Sequence, residues 1–322
     1  MSDVTARRPG GPAAPRVRAF APGSVGNVGP GLDIMGLALA GPGDVVEAVR
    51  TDAPGVAVLD AGHPDLPREA GANTAALAAQ AALRLAGYAE AGLTLRITKG
   101  LPLSGGQGGS AASAVAGAVA TNALFGLGLS EQQLLESALA AEACVAGWHL
   151  DNILPSLVGG IVLIRDTGAY DYVRVPYPAS LRVVVAQPEQ RLRTADGRAV
   201  LPREIPRDVA VYQAAQVAGM VLAFATGDGA LLRRSLDDRI AEPARAPLLP
   251  GFAAAKAAAL AAGALGCSIS GSGPSAFAFA ADAAAGAAIA AAMEHAYGAA
   301  GLRCATRVTG VDARGCHLLE DG

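Results

Sequence analysis

The stretch LPLSGGQGGSAASAVAGAVATNALFG, residues 101–126, constrains this chain more than any other. A glycine-dense loop runs straight into an alanine-rich segment with no charge in it. Bare glycines let a ligand approach the main chain closely. A helix starting at Ser110 leaves its first amide N–H groups without partners, and its dipole adds partial positive charge there. Residues 104–109 therefore read as loop, about 110–125 as helix, and the junction as a phosphate site. The pattern is not GxxxxGK[ST], and no lysine lies within the loop, so another cation must offset the phosphate charge. Magnesium held by a hydroxyl and a carboxylate would do so. Ser110 offers the hydroxyl, and Glu142, alone in the apolar run ALAAEACVAG, offers the carboxylate. Glu131 and Glu136 fall in amphipathic turns and read as solvated. A doubly wound dinucleotide fold fits poorly, because GGQGGS lacks the GxGxxG spacing. Taken alone, the loop serves equally well as a tight packing turn.

Composition narrows the classes. The chain has 322 residues, 52% hydrophobic and 16% charged, which suits a globular protein of two domains. The net charge is −3, aromatics are 4%, and the densest basic cluster (Arg7, Arg8, Arg16, Arg18) sits in a Pro/Gly-rich tail. No nucleic-acid partner is expected from this. Only Lys99 and Lys256 of the 25 basic residues are lysines, a skew that reads as coding bias. Cys144, Cys267, Cys304 and Cys316 have no metal spacing and read as reduced structural thiols. The N-terminus lacks the apolar core of a signal peptide. Residues 111–129 are uncharged but rich in Ala, Ser, Gly, Thr and Asn, which favours a buried helix over a membrane span. A soluble cytoplasmic protein with no membrane partner is expected.

Residues 1–15 read as a flexible tail. Residues 43–50, 56–61 and 93–99 read as strands, and Asn73 to about Ala86 as a helix with Asn73 as its N-cap. SEQQLLESALAAEACVAG reads as a helix opened by a Ser130/Gln133 capping box and ended at Gly147. Residues 159–175 read as a hairpin, and PYPAS marks a boundary near 170–178. Beyond it come a strand at 181–187, a polar loop RTADGRAVLP, and helices near 206–226, 228–239 and 252–264. CSISGSGPSAFAFAA reads as strand, glycine turn, strand; 283–298 as helix; RCATRVTGV and CHLLE as strands. The class is α+β in two lobes, 16–175 and 176–322.

Two further motifs accompany the glycine loop, APGSVGNVGPGLDIMGLAL near the N-terminus and SISGSGPSAFAFA near the C-terminus. In this order and spacing the three resemble the GHMP kinase superfamily. GNVGPGLDIMG, WHLDNILPSLVGGIVL, RTADGRAVLP and IAEPARAPLLPGF further resemble the branch that phosphorylates L-homoserine. The resemblance runs from about residue 18 to the C-terminus. It implies an N-terminal lobe like ribosomal protein S5, a ferredoxin-like C-terminal α/β sandwich, and transfer of the γ-phosphoryl group of ATP to the side-chain hydroxyl of L-homoserine.

By position, the resemblance implies that Asn27 and Asp33 meet the substrate ammonium, and that Arg198 and Arg245 clamp its carboxylate beside Thr194, with His149 close by. It places Asp151 and Asn152 near the hydroxyl. Pro102, Leu103, Ser104, Gly105, Gly106, Gln107, Gly108, Gly109, Ser110, Ala111 and Ala112 would wrap the ATP phosphates, with Gly271 and Gly273 shaping the site from the second lobe. Ser110 and Glu142 would hold Mg2+. Family members are often dimers, so the resemblance allows a homodimer, while the sequence itself does not give the oligomeric state. The chemistry is coherent, since a small zwitterion needs a carboxylate for its ammonium and a planar guanidinium for its carboxylate. The family loop usually reads P-x-G-S-G-L-G-S-S-A; here Gly and Ser are exchanged at 104 and 105, Gln107 replaces leucine and Gly109 replaces serine. Gln107 thus reads as a polar group added to the phosphate site. Other readings are a GHMP kinase for another small alcohol, such as mevalonate or a sugar, and a nucleotide-binding regulator with weak turnover.

Overall fold

The computed structural model describes residues 16–320 apart from 146 and 149. The expectations for the tail and for His149 lie outside the described residues. In the first lobe, strand β1 (Arg16–Gly26) pairs antiparallel with the long β2 (Met35–Thr51). Their register slips between Pro22 and Ser24, an irregularity of the bulge kind, and pairing resumes to Gly26 before the loop 27–34. Strand β3 (Gly55–Asp60) then leads to helix α1 (Thr74–Leu85), whose first amides are capped by the Asn73 side chain. Strand β4 (Gly92–Thr98) lies between β2 and β3.

Helix α2 (Gly109–Phe125) follows, starting one residue earlier than expected, and its alanines from Ala111 to Ala120 are buried, the helix packing on α1, β1 and β2. Helix α3 (Glu131–Val145) starts with the capping box: Ser130 N–H donates to Gln133 Oε1 and Gln133 N–H to Ser130 Oγ. Gly147 N–H closes this end on the Glu142 carbonyl, as expected from sequence. Helix α4 (Leu150–Val158) and the hairpin of β5 (Ile161–Asp166) and β6 (Asp171–Val175) complete the lobe.

The second lobe opens with β7 (Arg182–Pro188). The segment expected as a polar loop folds instead as the short helix α5 (Thr194–Ala199). Then come α6 (Arg207–Thr226), α7 (Gly229–Ser235), α8 (Ala241–Arg245), α9 (Phe252–Ala261), β8 (Gly266–Ile269), β9 (Ala276–Ala280), α10 (Ala283–Ala299) and β10 (Cys304–Thr309). Its sheet order is β10-β7-β9-β8, all antiparallel, the ferredoxin-like arrangement. Alternation along the strands splits its side chains between two cores. Val184, Ala186, Ala276, Ala278 and Ala280 pack under α9 and α10. Val183, Val185, Phe277 and Phe279 join Val25, Met35, Leu37 and Ile161 of the first lobe, with Met220 and Phe224 of α6.

The last strand, β11 (His317–Leu319), departs from the expected 176–322 lobe. It returns to the first sheet and pairs with β1, Arg18 opposite Leu319. The four cysteines are free thiols. Of residues 111–129, weighed as a membrane span, 111–125 belong to core helix α2. Helix α6 is long and apolar enough to cross a membrane by length and composition alone.

Candidate active site

A cleft of about 540 Å³ lies between the lobes. The glycine loop forms one wall: Pro102, Leu103, Ser104, Gly105, Gly106, Gly108, Gly109 and Ser110 all line it. Gly271 and Gly273 face it from the second lobe, and Thr194 from the start of α5. Ala111 and Ala112, expected among the phosphate contacts, are fully buried in the first turn of α2 and do not line the cleft.

The loop's geometry follows from its glycines. Gly106 and Gly108 have φ of +71° and +66°, in the left-handed region. A Cβ at Gly106 would lie 2.6 Å from the Ser270 carbonyl oxygen, so the second lobe also requires bare backbone there. Gly108 is the N-cap residue of α2, and no side chain caps that end. The first amides and the positive end of the dipole are therefore open to an anion.

Below the loop, Ser110 Oγ donates to Glu142 Oε1 at 2.7 Å. Glu142 is 3% exposed, and its Oε2 is buried with no hydrogen-bond partner. Burial pushes its carboxyl up to about 7, against the lowering effect of Ser110. A buried, unpaired carboxylate oxygen beside a hydroxyl at a phosphate loop is the donor set a hard cation takes. Among the described residues no cluster of three His, Cys, Asp or Glu assembles. Two protein oxygens supplemented by phosphate and water suit Mg2+.

Sequence reasoning missed Lys99. It lines the cleft, pairs with the fully buried Asp44, and donates to the Gly109 carbonyl and to Ser113 Oγ, each at 3.0 Å. Ser113 Oγ in turn donates to Asp44 Oδ2 at 2.6 Å. This network grips the first turn of α2 from below. Its available signal was that Lys99 is one of only two lysines in the chain. The other, Lys256, also sits in an ion pair, with Glu242.

In the loop after β1, Asn27, which lines the cleft, and Asp33 adopt positive φ, 54° and 61°. Asn27 Oδ1 accepts from Asp33 N–H at 2.9 Å, and Asn27 N–H donates to Asp151 Oδ2 at 2.8 Å. Asp151 lies in the first turn of α4 and is fully buried. Burial, then the Asp33 charge, raise its carboxyl to about 6, against the pull of Arg198 and the Asn27 amide. Asn152, which lines the cleft, accepts from Ser24 Oγ at 3.1 Å. The side chain of Arg198 reaches across the lobes and grips Asp33 with both terminal nitrogens. Arg245 is 1% exposed: Nε donates to the Gly197 carbonyl and Nη1 to the Gly271 carbonyl, both at 3.0 Å, while Nη2 is buried unpartnered.

Gln107 departs from its expected place. Its side chain turns away from the cleft into the interface between the lobes. The position was read as a polar group facing phosphate because the family pattern gives sequence order but not side-chain direction.

Comparison with known proteins fits this geometry. Residues 73–160 match the family GHMP kinases N terminal domain, and residues 220–299 match GHMP kinases C terminal. The chain is 41% identical over 305 residues to a homoserine kinase of Xanthomonas campestris pv. campestris (strain B100), covering 94% of each chain. It is 40% identical to a homoserine kinase of Arabidopsis thaliana, covering 79% of this chain and 71% of that one. A crystal structure of homoserine kinase from Cytophaga hutchinsonii superposes with a TM-score of 0.91 at 38% identity, covering 95% of this chain and 98% of the other. An L. major mevalonate kinase shares the fold at a TM-score of 0.70 and 18% identity. The chain belongs to the GHMP kinases, a class of ATP-dependent phosphotransferases. Within that class its family is that of the homoserine kinases.

Proposed function

We propose that this chain transfers the γ-phosphoryl group of ATP to the side-chain hydroxyl of L-homoserine, giving O-phospho-L-homoserine on the route to threonine. The observation that carries the acceptor is the pairing of Asp33 with Arg198, next to Asn27 of the cleft wall. A zwitterion offers each partner what the other now supplies, an ammonium for Asp33 and a carboxylate for Arg198. Mevalonate or a sugar would leave the aspartate without a cation. Thr194 and Asn27 line the cleft from either lobe.

The triphosphate would lie along the glycine loop, at the uncapped start of α2. Ser110 and Glu142 would hold Mg2+, which would neutralise charge on the transferring group. In the reaction the acceptor oxygen forms a bond to the γ-phosphorus, the bond to the bridging oxygen of ADP breaks, and the hydroxyl proton leaves. A loose transition state asks mostly for positioning and charge, so no strong base is required. Asn152 would orient the hydroxyl. Asp151, with its carboxyl near 6, is mostly ionised at neutral pH and would take the proton late. Arg245 would act from behind, since it fastens the α5 carbonyl of Gly197 to the SGSGP turn.

The test is ADP release with MgATP and L-homoserine, L-serine, L-threonine or mevalonate. Turnover with homoserine far above the others supports the reading; turnover only with another acceptor overturns the substrate. In the same assay Glu142→Gln should raise the Mg2+ needed for half-maximal rate. Normal rates at limiting Mg2+ would refute that role. A soluble, cytoplasmic enzyme accords with this activity. A homodimer would bury the outward face of α6.

A further inference from the structure

We infer that Gln107 is a positioning residue, one that fixes the phosphate loop by tying it to the second lobe; the inference rests on the ATP site proposed above. Its side chain is 1% exposed and lies outside the cleft wall, although both neighbours, Gly106 and Gly108, line it. Nε2 donates to Gln187 Oε1 of β7 at 3.1 Å and to Ser275 Oγ, just before β9, at 3.3 Å. Its own carbonyl accepts from Ser24 N–H of β1 at 3.1 Å. One residue thus joins β1, the loop and the ferredoxin-like sheet. Next to it, Ser270 Oγ donates to the Gly106 carbonyl at 2.6 Å, a second tie between the same two bodies.

Position explains the consequence. Gln107 stands between two glycines in left-handed conformations, residues whose dihedrals are the least restricted in the chain. A loop built this way is free to present its amides in many orientations unless something holds its middle. Gln107 is that hold. It removes freedom before the nucleotide arrives, which strengthens binding without any contact to the ligand. The residue does not serve stability alone, because its Oε1 is buried with no partner and so carries a desolvation cost that leucine would not. The resemblance gave leucine at this place; here a directional polar tie stands instead, aimed at Gln187.

The experiment compares wild type, Gln107→Leu, Gln187→Leu and the double variant in the intact chain. Each is measured for the KM of ATP, the KM of homoserine, thermal midpoint, and calorimetric binding of Mg2+ with the non-hydrolysable analogue adenylyl imidodiphosphate. Gln107→Leu should raise the ATP KM and the analogue Kd about 2- to 10-fold, as expected for one lost buried hydrogen-bond tie. It should leave the homoserine KM unchanged and the thermal midpoint level or higher. Gln187→Leu should act in the same direction, and the two effects should be non-additive, as for groups in one network. Unchanged analogue binding in Gln107→Leu overturns the inference. So does an equal rise in both KM values with a fall in midpoint, since that is general loosening. If the wild type binds the analogue but does not phosphorylate homoserine, only the acceptor assignment falls, and the binding comparison still decides Gln107. If the wild type binds no nucleotide, both fall.

Discussion

Asp151 shows how a single side chain here trades stability for its place in the site. Its carboxyl stands near 6 in the folded chain against an ordinary value of 3.8, because it is fully buried with Asp33 close by. Folding therefore takes up a proton between about pH 4 and 6. Stability from this group is lost as pH rises through that window, and the cost of burying the charge stays constant above it. Asp151→Asn keeps an oxygen for the Asn27 amide and removes that cost. We expect the variant to lose turnover yet gain about 1–3 kcal/mol of stability at pH 7.5, with little gain at pH 4. Thermal melts at the two pH values measure this, and a pH-independent difference would sink it. Residues acting locally were legible in sequence: Asn73, Ser130 and Gln133 bond within three positions of themselves. Lys99 and Gln107 were not, because their partners Asp44 and Gln187 lie 55 and 80 positions away. No periodicity records such a pairing.

At the scale of elements, the short helices proved hardest to see. Helix α4 carries Pro155 inside it, a residue that usually ends a helix, and α5 has only six residues in a polar segment. Both owe their form to tertiary contacts. The Asp151 side chain of α4 holds the Asn27 amide, and Arg245 holds the Gly197 carbonyl at the end of α5. Arg198 and Arg245 looked alike in sequence, two arginines in neighbouring motifs, but α5 presents Arg198 to Asp33 while α8 hides Arg245. Their variants should therefore part. Arg198→Ala should raise the homoserine KM roughly 10- to 100-fold with little change in thermal midpoint, the loss of one charge-assisted contact. Arg245→Ala should lower stability by about 1–3 kcal/mol by stranding two buried carbonyls, and raise the homoserine KM as α5 loosens. Steady-state kinetics and melts on the same preparations separate the two, and matched behaviour would refute the distinction.

The two lobes are not independent bodies at the scale of the whole molecule. They share one apolar core, in which Phe277 and Phe279 of the second sheet meet Met35 and Leu37 of the first. Its outer flank is α6, whose surface from Val211 through Ala214, Ala218 and Leu222 is exposed and uncharged. Charges occur only at its ends, Arg207 and Asp208 in its first turn and Asp228 just after it. An antiparallel pair of such helices about a two-fold axis sets Arg207 of one copy near Asp228 of the other. We expect a homodimer by sedimentation, and a monomer for Val211→Lys combined with Leu222→Lys; a double variant that stays dimeric would place the contact elsewhere.

The return of β11 to β1 carries a different consequence. The first sheet holds both ends of the described chain, so the ferredoxin-like lobe stands within it as an inserted body. During synthesis the first lobe emerges early yet lacks an edge strand until the second lobe has been made and β11 follows it. Order of manufacture and order of completion are therefore reversed. The lobe that carries the nucleotide loop is closed by a strand made after the whole ferredoxin-like lobe.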